Sequence, residues 1–450
     1  MKQYKNRMVY RFICMLMLVC VFALSFKVIP LHAAKSKTTK DKEVTDYSFG
    51  SLKYTVYTES QTAKVTGSVS ANLKKLVVPA SIEYEGAEVP VTEIGDYAFE
   101  GSKLTSVKLG SNVKKVGAGA FAFSSKLKKA TVKAGCEQID DAAFFMCTAL
   151  SKVTFNKNSV LESIGAGAFA GTAVTAFTVQ DGVKSIGDAS FSECKSLKKV
   201  TLGASLETVG EGAFSGCDSL TEIIKSDGNI YIEVYKNAIY SKDYKVLLSG
   251  AALRGENNEF PEGLETVSPR AFEENTGITS VKFPGSLKYI GEGAFLNCTA
   301  LVSAGFSEGV KMVDENAFYG CSALTSLNIP ASVETISGNP FKYCPMLKNL
   351  TVAEGSSTYR MVDDLLISYD GKILVAAPAV SGIVALDKGI RSINEYAFCG
   401  NSSVKAVKLN KNLEKVGYGA FHDCEQLILI QLEEGTSVEG MEEIEDKITK

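Results

Sequence analysis

Side chains able to do chemistry are few in this chain, and most of them keep step with a period. Seven of its 11 cysteines stand three residues after a phenylalanine: Cys147, Cys194, Cys217, Cys298, Cys321, Cys344 and Cys424. Ser124 and Asn275 hold the same place in two other periods. A small side chain that bonds a turn's backbone N–H or C=O accounts for that choice of types. Cys136 falls where Val113 and Leu206 stand elsewhere and reads as a core hydrophobe, while Cys399 is out of phase. The spacing lacks the paired C-x-x-C ligands typical of a cysteine zinc site, and the nine cysteines of the mature chain are an odd number, so buried free thiols are expected. Adjacent coils about 4.8 Å apart keep neighbours such as Cys194 and Cys217 within bonding reach, so a disulfide stays open at this level.

Other chemistry is thin. His32 and His422 are the two histidines, too few for a histidine triad or a histidine-rich metal site. Gly117-Ala-Gly119, Gly165-Ala-Gly167, Gly210-Glu-Gly212 and Gly291-Glu-Gly293 mimic the opening of a nucleotide-binding loop. They recur at one phase without the third glycine, as tight turns do. No H-E-x-x-H, Walker A, G-x-S-x-G or EF-hand loop occurs. The expectation is no catalytic residue, no cofactor and no metal.

The elements that must position these residues repeat. Phenylalanines recur at Phe99, Phe121, Phe144, Phe169, Phe191, Phe214, Phe272, Phe295, Phe318, Phe341, Phe398 and Phe421. Nine of the eleven gaps are 22 to 25 residues. Leu197, Val200, Leu202, Leu206, Val209, Phe214 and Cys217 mark one period; Ile278, Val281, Phe283, Leu287, Ile290, Phe295 and Cys298 repeat its offsets. Val200 and Leu202 share a face by period-two alternation, which predicts a short strand, and the G-x-x-A-F segment is long enough for a turn or one short helical turn. One unit cannot bury its own apolar row, whereas stacked copies bury a continuous one.

This unit, A-F followed by C-x-x-L-x-x-V-x-L, resembles the BspA-type leucine-rich repeat of bacterial and protozoan surface proteins from about Val91 to Leu432. The resemblance implies a leucine-rich repeat solenoid: a β-rich strand ladder with turns or short helices, about twelve coils of ~23 residues. It also implies surface display and adhesion to host proteins or neighbouring cells. Two longer gaps hold Ile239-Tyr-Ser-Lys-Asp-Tyr-Lys-Val-Leu and Leu366-Ile-Ser-Tyr-Asp-Gly-Lys-Ile-Leu, in which apolar runs flank a turn signal. They predict β-hairpin inserts over 225–258 and 353–385.

Around the solenoid, residues 47–90 are expected to form an N-terminal β cap after a linker at 35–46. Residues 433–450 are expected to form an acidic closing helix or tail, with Val438, Met441 and Ile444 as its apolar cluster. Residues 1–34 read as a secretory signal peptide: Lys2, Lys5, Arg7 and Arg11, an apolar run from Phe12 to Phe26, then Leu31-His32-Ala33-Ala34. An uncleaved anchor is the rival, though the run is short for a bilayer span. Cleavage removes five of the 48 Lys plus Arg and none of the 51 Asp plus Glu, leaving a net charge of −8. That balance shows no nucleic-acid footprint. The expected location is outside the cell, secreted or on its surface, with no membrane span after cleavage.

The expected function is non-catalytic binding to an extracellular protein, of a host matrix or another cell surface. A polar, mildly basic strip of exposed strand positions carries it: Lys108, Lys129, Thr131, Lys152, Thr154, Thr178, Lys199 and Thr201, continued by Lys282, Lys408 and Thr351. The strip has almost no aromatic residue, which favours a protein over a stacked sugar. Tyrosines gather in the inserts instead, at Tyr231, Tyr235, Tyr240, Tyr244, Tyr359 and Tyr369, as a second docking cluster. Two alternatives stand beside this reading: an extracellular enzyme or glycan-processing accessory with a site on the inserts, and a structural spacer. Facing carboxylates in a pocket between an insert and the ladder would favour the enzyme.

Overall fold

The computed structural model describes residues 41–256, 258–433, 438–440 and 448–449. The leader, His32, Met441 and Ile444 lie outside them. One compact unit begins at Glu43.

Each period makes one coil with two strands. A longer strand such as Lys129–Val132 lies on one side, and a two-residue strand such as Gln138–Ile139 lies on the other. Both pair in parallel with the equivalent strands of neighbouring coils. The G-x-x-A-F segment forms turns, and no helix occurs among the described residues. Parallel stacking follows from the constant unit length: with the same offsets in every coil, each apolar position meets its own copy above and below.

The phenylalanines form a column at the centre. Phe121 and Phe144 stack at 5.1 Å between ring centroids and 10° between planes, and Phe295 and Phe318 at 5.2 Å and 5°. The column is set by main-chain bonds from one turn to the next, as Phe144 N–H to Ala168 O at 2.8 Å. Below each ring the C/S/N position does its expected work. Cys147 Sγ donates to Phe121 O at 3.0 Å, Cys217 Sγ to Phe191 O at 3.1 Å and Ser124 Oγ to Phe99 O at 2.9 Å. All nine described cysteines are free and buried.

Among the described residues, the two-residue ladders run through seven, then five, then three tiers, about fifteen coils against the twelve expected from the phenylalanines. Three coils escape that count because they lack the marker ring. Thr62–Ser68 is already a tier, pairing in parallel with Ala87–Ile94, so the stack begins inside the segment read as a cap. In the two inserts, Gly250 and Ala377 occupy the phenylalanine place: their N–H groups bond Ala271 O at 2.8 Å and Ala397 O at 2.7 Å, as phenylalanine N–H groups do elsewhere. The cap itself is the meander Glu43–Phe49, Leu52–Tyr57 and Thr62–Ser68, so strand structure starts within the expected linker. At the far end, Val438 packs on the core and Ile448–Thr449 pairs with Leu429–Leu432.

The inserts have three strands each: Ile232–Tyr235, Ala238–Ser241 and Val246–Ser249, then Tyr359–Val362, Leu365–Ser368 and Ile373–Ala376. The Asp243 and Asp370 turns are built alike. Ser241 Oγ donates to Asp243 Oδ1 at 2.7 Å, and Ser368 Oγ to Asp370 Oδ1 at 2.7 Å. The middle strand of each insert crosses the stack and is buried on both faces. Ile239 belongs to the first hydrophobic core and Ala238 and Tyr240 to the second. Leu366 likewise belongs to the second core, Leu365 and Ile367 to the third. Among the described residues, the solenoid is therefore three packed cores divided by two β partitions.

Candidate binding surface

Alternation fixes what the longer strands expose. In Lys129–Val132, Ala130 and Val132 are buried while Lys129 and Thr131 point outward. The register then lines equivalent residues up along the stack. Lys129 lies beside Lys152, and Thr131 beside Thr154. Lys108 lies beside Thr131, in the threonine row rather than the lysine row. Lys75, absent from the expected strip, lies beside Ser106 and joins the lysine row. Four consecutive strands therefore present one exposed lysine each: Lys75, Lys108, Lys129 and Lys152.

These lysines form no ion pair among the described residues, although lysines across the coil do. Lys114 pairs with Glu137 at 3.3 Å, Lys115 with Asp140 at 2.8 Å and Lys184 with Glu162 at 3.6 Å, all beside the two-residue ladder. The cause is the sequence. Residues 101–136, 142–161 and 163–180 contain no Asp or Glu, so the acids of these coils all fall on the other side. Lys129 and Lys152 are thus neighbouring like charges without a counterion, an arrangement mildly unfavourable to folding.

Thr178, Lys199 and Thr201 sit on a separate sheet, because the longer ladder breaks between Lys152–Phe155 and Ala176–Thr178. The break falls in the 25-residue period, where Phe155 and Phe177 meet edge to face at 5.8 Å. Beyond it the charge is compensated: Lys199 Nζ lies 3.0 Å from Glu222 Oε1. Lys282 and Thr351 belong to a third sheet and Lys408 to a fourth. The eleven-residue strip is therefore four surfaces, of which the first has an unpaired lysine on each of four consecutive strands.

The tyrosines do not form one cluster. Tyr240 is fully enclosed, 0% exposed, and belongs to the second core, which removes it from any docking surface. Its place on a strand buried on both faces is the reason. Tyr231 and Tyr369 are exposed, but on different inserts, and Tyr235 is half-buried. Tyr359 Oη accepts the Ile336 N–H at 2.9 Å and closes the end of the second two-residue ladder.

A model of the BspA type leucine-rich repeat region matches residues 70–179, 162–245, 253–361 and 382–443. The chain belongs to that family. Solved structures of the same architecture include a leucine-rich cell surface protein of Faecalibacterium prausnitzii A2-165, at 22% identity and TM-score 0.50 over 86% of this chain and 94% of that one. A leucine-rich repeat protein of Bacteroides ovatus is similar at 23% identity and TM-score 0.50, over 90% and 100%. Another, of Eubacterium ventriosum, is similar at 18% identity and TM-score 0.53, over 86% and 91%. No curated protein matches the chain.

Two further groupings stand out in this BspA-type stack. Burial pushes the Cys147 and Cys344 thiols up to about 12, so these ladder cysteines stay protonated and hydrogen-bonded rather than nucleophilic. At the first partition, Glu193, Glu273 and Glu274 gather on the turn side, in space that Gly212 and Gly216 leave free. Ser215 Oγ donates to Glu273 at 2.8 Å, Arg270 pairs with Glu273 at 2.9 Å, and Lys195 with Glu193 at 3.1 Å. Burial and a shared hydrogen bond with Glu193 push Glu274 up to about 9. These are the facing carboxylates that would favour hydrolysis, but they fill a packing gap with salt-bridge and hydroxyl partners. The molecule also has an open groove on its third longer ladder, lined by residues such as Ser303, Gly305 and Asn328, which the sequence reading did not single out.

Proposed function

We propose that this BspA-type protein is an exported, non-catalytic adhesion module that binds an acidic extracellular protein. The lysine ladder of its first four longer strands is the docking face. The observation that carries this reading is the segregation of charge. Lys114, Lys115 and Lys184 beside the two-residue ladder have acidic partners, while Lys75, Lys108, Lys129 and Lys152 stand one per coil on acid-free chain. Side-by-side cations cost folding free energy, and an anionic partner would recover it. The surface is also preformed: its two middle strands pair with neighbours on both sides and its two outer strands on one, so docking orders little chain. The enclosed, protonated thiols support a non-catalytic role.

Export rests on the leader at residues 1–34, and fractionation of intact cells followed by N-terminal sequencing tests it. For binding, the mature chain is passed over an array of extracellular matrix and cell-surface proteins. Saturable binding to acidic partners, weakening as salt rises, is expected. Absence of any saturable protein partner would contradict the reading.

A further inference from the structure

We propose that the groove on the third longer ladder is a saccharide site that takes a neutral, hydroxyl-rich oligosaccharide. The site is independent of the lysine ladder. The groove lies across the strands Ser280–Lys282, Ser303–Gly305, Ser326–Ile329 and Asn349–Val352 and encloses about 640 Å³. That is within the roughly 300–1,000 Å³ typical of small-ligand sites.

The groove exists because the ladder opens there. Ser303 and Ala304 register with Ser326 and Leu327, but the pairing stops before Gly305 reaches Asn328. Gly305 also contributes no side chain where the neighbouring strands have Lys282 and Asn328. The fold does not require glycine at this position. Its φ is not left-handed, and an added Cβ would come no closer than 3.5 Å to another residue, an ordinary contact. A larger side chain would fit the backbone and fill the groove, so what glycine supplies here is room.

The chemistry of the walls selects the ligand. Ser280, Ser303 and Ser326 form one aligned row of hydroxyls, each able to donate and accept. Asn328 Oδ1 accepts from Thr351 Oγ1 at 2.9 Å, which leaves the Asn328 amide N–H groups for a ligand. The lining holds one cation, Lys282, and no carboxylate. The apolar floor residues Val281, Ala304 and Leu327 are buried beneath, so a protein partner would find no hydrophobic anchor pocket. Half-buried Phe306, its ring 5.7 Å from Phe318, gives one apolar wall for the C–H face of a sugar ring. Alternating donors and acceptors with one ring surface and no fixed negative charge complement a neutral glycan.

The test titrates hexasaccharides of β-1,4-linked N-acetylglucosamine, β-1,4-linked glucose and α-1,4-linked glucose into the full mature chain at low and high salt. At least one is expected to saturate, with affinity unchanged by salt. Gly305→Leu and Asn328→Ala should each weaken it roughly tenfold or more, with thermal melts checking that both variants fold. The double variant Lys129→Ser/Lys152→Ser should leave it intact. The proposal is overturned if no hexasaccharide saturates, or if binding survives both groove variants. Binding that falls with salt and disappears in the lysine variant overturns it too, and assigns saccharide to the lysine ladder instead.

Discussion

At the residue scale, position in the period decides role. The C/S/N choice below each phenylalanine was readable as a turn ligand, and the thiol-to-carbonyl bonds are that arrangement. The rows of the lysine strip were readable too, by a different count. Lys75, Lys129, Lys152 and Lys199 each stand two residues after a leucine, Leu73, Leu127, Leu150 and Leu197. Lys108 stands four after Leu104, which places it in the threonine row. Counting from the phenylalanine hides this, because the Phe99 loop is one residue short. Phe295, 0% exposed between Phe272 and Phe318, is a direct probe of the column. Phe295→Ala is expected to cost about 3–5 kcal/mol in denaturant unfolding. The native chain should leave its buried thiols unreactive to an aromatic disulfide reagent, and unfolding should release them. Glu274 supplies a pH test. Its folded-state pKa is raised, so the stability it contributes is full below its unfolded value and is lost as pH rises toward about 9. Glu274→Gln keeps a neutral donor there, so its melting temperature should fall less than wild type between pH 5 and 9 in thermal scans. An equal fall in both proteins would remove the carboxyl pair from the account.

At the element scale, the turns depend on room as much as on conformation. Gly187 has an ordinary φ, yet an added Cβ would lie 2.5 Å from Ala166 N and 2.7 Å from the Gly165 carbonyl carbon. Gly187→Ala should therefore push adjoining coils apart and cost about 1–3 kcal/mol, measured by chemical denaturation. The repeated I-G made these turns legible. The inserts were legible in part. Asp243 and Asp370 marked their turns, but the middle strand, Ala238-Ile239-Tyr240, reads as an unbroken apolar run because both its faces are buried. Its neighbour across the Lys236-Asn237 turn, the strand Ile232–Tyr235, was missed for lack of a glycine there; Lys236 and Asn237 take φ of 51° and 63° themselves. The groove was invisible for a further reason. It arises from a pairing that stops at Ala304, a property of two strands together rather than of either one.

At the scale of the whole molecule, two partitions divide the stack into three cores, and stability should divide with them. Nearest-neighbour packing makes each core a separate cooperative unit joined through a partition. Phe421→Ala, in the third core, should speed amide exchange in Val404–Leu409 and Leu429–Leu432 while leaving Lys129–Val132 protected in the first. The same division separates surfaces: a basic ladder on the first core, a hydroxyl-lined groove on the second. The central claim is that the unpaired lysines, not positive charge in general, hold an acidic partner. The direct measurement compares partner binding by two variants of equal charge change. One carries Lys75, Lys108, Lys129 and Lys152 changed to Ser, and the other carries Lys114, Lys115, Lys184 and Lys311, each paired with an acid, changed to Ser. The first is expected to abolish saturable binding and the second to leave it within about twofold of wild type. Equal losses in both, or retention in the first, would contradict the account.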